Sequence, residues 1–223
     1  MMVDEALRRS ALSAAALLRE FSAATVHEAN GRRGALAPRL KPLVNGWRIC
    51  APVMTISTGP GNNLAIHQGL YATPPGWAMA VATGGDDTFG YWGDILTEAA
   101  IAHGVAGLVL EGGIRDVHEL RALDFPVVSG AVAIRGTTKL LDGASVGEPI
   151  SLGGIHVSVG DILIADDDGV VCVALADAVA VATAARSREV HEEHIRTAIR
   201  AGAQTLDLYG FTSHDDTTIT TKE

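Results

Sequence analysis

Asp94, Arg115 and Asp116 are the residue types that handle a small oxyacid: two carboxylates able to hold a hard cation, and a guanidinium able to pair with carboxylate or keto oxygens. If Asp94 starts a helix, the backbone N–H groups of Ile95 and Leu96 lack intrahelical partners. They then face outward at the positive helix end, a natural seat for a ligand carboxylate. Gly93, without a side chain, lets a ligand come close. Each residue also has a purely structural reading. Asp94 could be an N-cap, Asp116 could form a capping box with Glu119, and Arg115 could be a surface cation. A capping box does not prevent the same carboxylate from facing a metal.

The elements around these residues determine whether they meet. Residues 77–128 read as strand, helix, strand, helix, strand: Trp77 to Ala82, a helix from Asp94 to His103 stopped at Gly104, Val105 to Leu110, a short helix opened by Arg115-Asp116, and Pro126 to Val128. That order is a pair of crossovers on a mostly parallel sheet. Gly84 to Asp87 and Gly112-Gly113 read as loops. Loops that follow neighbouring parallel strands emerge on one sheet edge, where ligands gather. Asp94 and Arg115-Asp116 can therefore face one pocket.

Elsewhere, Leu7, Leu12, Ala15 and Leu18 mark an amphipathic helix over 4–20, and Ser22 to Ala29 a second, stopped by Asn30-Gly31. Trp47 to Thr58 is strand-like, and Asn63 to Tyr71 has helical spacing. Ile155 to Val159, Asp161 to Ile164 and Val170 to Val173 read as antiparallel strands, with Asp166-Asp167-Asp168-Gly169 as a hairpin turn. A long helix is expected from about Asp177 to Ala201. The fold class is α/β, one layered domain over 1–212 with mixed strands, and residues 213–223 form a polar, frayed tail.

Composition narrows the function. The chain has 223 residues and a net charge of −9, with no basic patch, which argues against nucleic acid as a partner. An anionic substrate must instead meet locally gathered positive charge. Of the 17 basic residues only Lys41, Lys139 and Lys222 are lysines, so Schiff-base chemistry would fall to Lys41 or Lys139. Cys50 and Cys172 lie in apolar stretches and read as buried thiols. No segment reaches the ~20 apolar residues of a membrane span and no apolar signal core opens the chain, so a cytoplasmic location is expected.

Asp94, twenty residues, then Arg115-Asp116 resembles the D-x20-R-D signature of the RraA-like family, which includes 4-hydroxy-4-methyl-2-oxoglutarate / 4-carboxy-4-hydroxy-2-oxoadipate aldolases that also decarboxylate oxaloacetate. The spacing alone is weak, but its ordered context makes it specific. Thr25 to Arg32, Asn63 to His67, Trp92-Gly93-Asp94, Gly104 to Gly107, Gly112 to Asp116, Phe125 to Val127, Arg135 to Thr137, Gly160-Asp161 and Ala165 to Val170 follow in family order. The likeness covers roughly residues 20–210 and implies a swivelling β/β/α type of fold.

The resemblance also implies roles. Asp116 would bind Mg²⁺ or Mn²⁺ directly, and Asp94 would hold a water on that ion. Arg115 would pair with the ketoacid oxygens, and the amides of Ile95 and Leu96, next to Gly93, would bind the pyruvyl carboxylate. Family members form trimers and hexamers with sites at subunit borders. Glu28 and Glu192, with Glu193 beside it, match acids that reach the metal through water from a neighbouring chain. The loop 84–91, rich in polar and aromatic groups, departs from the family pattern and borders the pocket.

Three other readings compete. Some family members are non-enzymatic regulators that bind a ribonuclease complex, although a pure binding protein would not need all three signature positions. A Schiff-base lyase using Lys139 lacks an evident acidic or basic partner. The Gly84-Gly85-Asp86 loop is too weak a motif for an S-adenosylmethionine site. The string His191-Glu192-Glu193-His194 spaces its histidines i and i+3, unlike the H-E-x-x-H zinc pattern.

Overall fold

The computed structural model describes residues 3–140 and 144–211; the expected tail over 213–223 lies outside the described residues. By internal contacts the chain divides into two compact units, Met1–Ala185 and Arg186–Glu223.

The first unit opens with two capped helices. The Asp4 carboxylate accepts from the Leu7 amide at 2.7 Å to start α1 (Glu5–Leu18), and the Ser22 hydroxyl accepts from Thr25 at 3.1 Å to start α2 (Ala23–Ala29). Then come β1 (Lys41–Pro42), β2 (Ile49–Ser57), α3 (Leu64–Ala72), β3 (Ala78–Ala82), β4 (Gly90–Trp92), α4 (Asp94–His103), β5 (Gly107–Ile114), α5 (Val117–Ala122) and β6 (Val127–Val132). The short strands β7 (Ser145–Val146), β8 (Ile150–Leu152) and β9 (Ile155–Val157) precede the hairpin β10 (Ile162–Asp166) and β11 (Gly169–Val173). A turn of 3-10 helix over Leu175–Asp177 leads into α6 (Ala178–Arg200), whose later part belongs to the second unit with α7 (Thr205–Leu208).

The main sheet runs β1-β6-β5-β3-β2-β10-β11. Its centre is parallel, as the two crossovers require, and the β10–β11 hairpin joins antiparallel through β2. The segment around residue 36 brings the sheet's ends together. Leu36 donates to the Val170 carbonyl on β11 at 2.9 Å, and a few residues later β1 pairs with β6. The result is a nearly closed mixed sheet.

Period-2 alternation then sorts the side chains. Ile49, Ala51 and Val53 of β2, Ala78 and Ala80 of β3, and Leu163 and Ala165 of β10 face one interior with Val109, Val128 and the β8–β9 hairpin. The intervening Met54, Ile56, Met79, Val81, Leu108 and Leu110 pack outward against α3, α4 and α5. Ile162, Ile164, Val171 and Val173 pack against α1, α2 and the first turns of α6.

The structure corrects three expectations. Gly112-Gly113 is not a loop but the end of β5, carrying a register shift against β6. Its glycines clear a path, because a Cβ on Gly112 would lie 2.8 Å from the Asp86 carbonyl oxygen and one on Gly113 2.6 Å from that of Phe89. The segment read as the loop 84–91 ends in β4, a parallel rung on β5. Ile155 to Val159 does not join the β10–β11 hairpin; Ile155–Val157 pairs with β8 instead.

Candidate functional site

One rung of β4 on β5 joins the candidate residues. Trp92 is in register with Ile114, and the Arg115 amide donates to the Trp92 carbonyl at 2.9 Å. The next residues on each strand, Gly93-Asp94 and Arg115-Asp116, must therefore lie side by side despite their separation in sequence. Trp92 donates from its indole Nε1 to the Thr97 hydroxyl at 2.6 Å, and that hydroxyl donates to the Gly93 carbonyl at 3.0 Å. The first turn of α4 is thus tied to β4.

Asp116 does not form the capping box. It occupies the position before α5 with φ 55° and ψ 41°, and its side chain makes no capping hydrogen bond to that helix. A non-glycine residue in the left-handed region costs about 1 kcal/mol or more, and such strain concentrates at functional sites. The conformation turns the carboxylate back toward α4. Oδ2 accepts from the Asp94 amide at 3.4 Å and lies 3.4 Å from Nε of Arg115. Gly93 is extended, so its conformation suits any residue, but its space does not. A Cβ there would sit 2.2 Å from Oδ2 of Asp116.

These groups line a cleft of about 320 Å³ with Ile95, Leu96, Asn63, His67, Thr137 and Lys139. Ile95 is largely exposed. Its amide is not free, since it donates to the Asp94 Oδ1 at 2.7 Å. A ligand carboxylate reaching for that amide would displace the Asp94 side chain. Lys139 adds positive potential at the cleft, beside His67. Partial burial, and then the Lys139 ammonium, lower the His67 pKa from its ordinary 6.5, so the imidazole is neutral at pH 7. His67 and Thr137 were not singled out as site residues from sequence, and Lys139 was considered only as a Schiff-base lysine. The available signal was their place in segments flanking the cleft, Asn63 to His67 and Arg135 to Thr137.

Glu28 lies outside the cleft, on α2, 3.1 Å from Arg32. Glu192 belongs to the second unit, where its oxygens meet Arg188 and Arg196, each at 2.8 Å. Asp86 is held within its own loop. Its Oδ2 accepts from the Tyr91 hydroxyl at 2.6 Å and its Oδ1 from the Thr88 amide and hydroxyl. Burial raises the Asp86 carboxyl, but these hydrogen bonds outweigh it and hold the pKa below the usual carboxylate value.

The family model described as RraA-like, Aldolase/RraA, matches residues 13–172. The chain belongs to the RraA-like family. A Halalkalibacterium halodurans protein with the provisional name 4-hydroxy-4-methyl-2-oxoglutarate aldolase is 29% identical over 174 residues, 78% of this chain and 82% of that protein. Two crystal structures show the same RraA-like fold at a TM-score of 0.72. One is an uncharacterized protein from Pseudomonas syringae pv. tomato, 26% identical, with 92% of this chain and 96% of that one covered. The other is Streptomyces coelicolor RraAS2, titled an unusual member of the RNase ES inhibitor RraA protein family. It is 28% identical, with 87% and 98% covered. No helix among the described residues is long and apolar enough to cross a membrane.

Proposed function

We propose that the cleft is the active site of a divalent-cation-dependent carbon–carbon lyase. Its substrate is a small 2-oxoacid, cleaved by retro-aldol reaction of a 4-hydroxy-2-oxoacid with release of pyruvate, by decarboxylation of oxaloacetate, or both. The observation that carries this reading is the Asp116 carboxylate, turned away from its own helix and toward Arg115 and the N-terminus of α4. The aldolase name of the Halalkalibacterium relative supports it.

The donor chemistry fits Mg²⁺ or Mn²⁺. Asp116 offers a partly exposed hard oxygen ligand; among the described residues no group of three or more His, Cys, Asp or Glu is placed to hold a metal ion by itself. Such a site suits an ion that keeps most of its waters. Asp116 would hold the cation directly. Asp94, and Glu28 and Glu192 from a neighbouring subunit of a homotrimer or homohexamer, would hold it through water. When bound, it would supply Lewis-acid charge to the substrate's carboxylate and keto oxygens.

The chain's own residues do the rest. Breaking the C3–C4 bond leaves an electron pair on C3 that moves onto the C2 oxygen, and the Arg115 guanidinium stabilises the charge developing there. The N-terminus of α4, at Ile95 and Leu96 beside the bare backbone of Gly93, orients the C1 carboxylate. Asp94 positions a water that takes the proton of the C4 hydroxyl as the C4 carbonyl forms, and a proton delivered from water to C3 converts the enolate to pyruvate. The test is a panel of 2-oxoacids assayed for pyruvate release with Mg²⁺, with Mn²⁺ and with EDTA. Release that depends on the cation is expected for at least one of oxaloacetate and the 4-hydroxy-4-substituted acids; release indifferent to EDTA, or none, counts against the reading.

A second reading is favoured by the likeness to RraAS2: a regulator that binds a ribonuclease complex. Its signature is capture of such a complex that survives Asp116→Ala unchanged.

A further inference from the structure

Glu111 is a buried carboxylate on β5, 8% exposed and four residues before Arg115. An acid so placed must be matched by donors. Its Oε2 accepts from the Gly85 amide at 3.1 Å. Its Oε1 accepts from the Gly153 amide at 3.3 Å and lies 3.6 Å from the Arg39 guanidinium. Arg39 also donates to the Glu111 carbonyl at 2.7 Å, through a gap that exists because residue 130 is glycine. A Cβ there would come within 2.2 Å of both groups.

Glu111 therefore joins three segments that are distant in sequence, and one of them is the 84–91 loop. The connection continues along that loop. Next to Gly85, Asp86 accepts from the Tyr91 hydroxyl, which itself accepts from the Gly61 amide at 2.8 Å; the Tyr91 carbonyl accepts from Asn63 at 3.1 Å. Tyr91 is the centre of β4, whose three residues form a wall of the cleft and lead straight into Gly93. A second observation fits the same path. The loop crosses β5 directly over Gly112 and Gly113, at distances that leave no room for a side chain.

We propose that Glu111 is a positioning residue for the cleft. By holding the Gly85 amide it seats the 84–91 loop on β5 and, through Asp86 and Tyr91, fixes the β4 wall against which the 2-oxoacid packs. The inference rests on the lyase reading for its effect on turnover, and on the loop's geometry alone for its effect on the wall.

Glu111→Gln keeps the side chain's volume and one acceptor oxygen, but its NH₂ must face either Gly85 or the Gly153–Arg39 side as donor to donor. The expected result is at least tenfold faster amide exchange over residues 85–92. Pyruvate release should show a roughly tenfold lower kcat/KM, carried mainly by KM, at a temperature where circular dichroism shows both proteins folded. Asp86→Asn, at a partly exposed position, weakens the same path and serves if Glu111→Gln does not fold. Combined, the two changes should cost little more than the worse one alone, because they act through one loop. A lower melting temperature with unchanged exchange at 85–92 and unchanged kinetics would make Glu111 a fold-stabilising residue only and overturn the proposal. Fully additive losses would overturn the shared path. If the native protein releases no pyruvate, the lyase reading fails, and the exchange data alone then decide whether Glu111 holds the wall.

Discussion

At the scale of single residues, the site depends on what Asp116 does with its carboxylate. Its spacing to Glu119 predicts a helix cap, yet its left-handed backbone turns the side chain to Arg115 and α4 instead. The residue type and its place were legible in the sequence. The turn was not, because the spacing of a capping box does not reveal whether the acid faces its own helix or a neighbouring cleft. Gly93 is the matching half of this arrangement. Gly93→Ala adds a methyl 2.2 Å from Oδ2 of Asp116, so that carboxylate must swing away. The expected outcome is a loss of about 10²-fold in kcat/KM with little change in melting temperature, since the Gly93 backbone is extended and only the partly exposed Asp116 side chain has to move. His67 adds a pH dependence. Its lowered pKa means that the unfolded chain takes up the proton more readily than the folded one. Its contribution to stability is therefore complete above the ordinary value of 6.5 and is lost as the pH falls through the folded value. Urea unfolding between pH 8 and 5 should show that decline, and His67→Gln should reduce it.

At the scale of elements, the register Trp92 to Ile114 converts a long sequence separation into direct contact. The helices and parallel strands around it were readable from period and stop signals: α2 ends at Asn30 and α4 at Gly104, where the breaks were expected. Two features were hidden for physical reasons. β4 has only three residues, too few to show alternation, and it emerges from a polar loop. Gly112-Gly113 looks like a chain breaker, but its lack of side chains serves the loop that passes over it. Gly112→Ala would press a methyl on the Asp86 carbonyl and the Tyr91 ring. A destabilisation of about 1–3 kcal/mol is expected in urea unfolding, as for other overpacked positions.

At the scale of the molecule, the nearly closed sheet lets alternate residues of the same strands face an interior on one side and helices on the other. The order of strands and helices anticipated an α/β core, but not that the segment around residue 36 would join the ends of the sheet, because a contact between β11 and β1–β6 has no local signature. The two thiols report on this packing. Burial raises the pKa of Cys50 to about 11, offset in part by Arg19 and Arg48, and that of Cys172 to about 12, with Asp161 adding to the shift. A thiol-specific disulfide reagent at pH 8 should therefore label the native protein at least tenfold more slowly than the unfolded chain. Because both folded values are raised, the stability tied to the protonated thiols is complete below the unfolded value of 9.0 and is lost as the pH rises through the folded values.

The most direct test of the lyase account is pyruvate release from oxaloacetate and from a 4-hydroxy-4-substituted 2-oxoacid by the native protein and by Asp116→Asn, each with Mg²⁺ and with EDTA. The account predicts release only by the native protein with the cation, and a loss of about 10²- to 10³-fold in the folded variant. Equal turnover by the two proteins, or turnover untouched by EDTA, would contradict it.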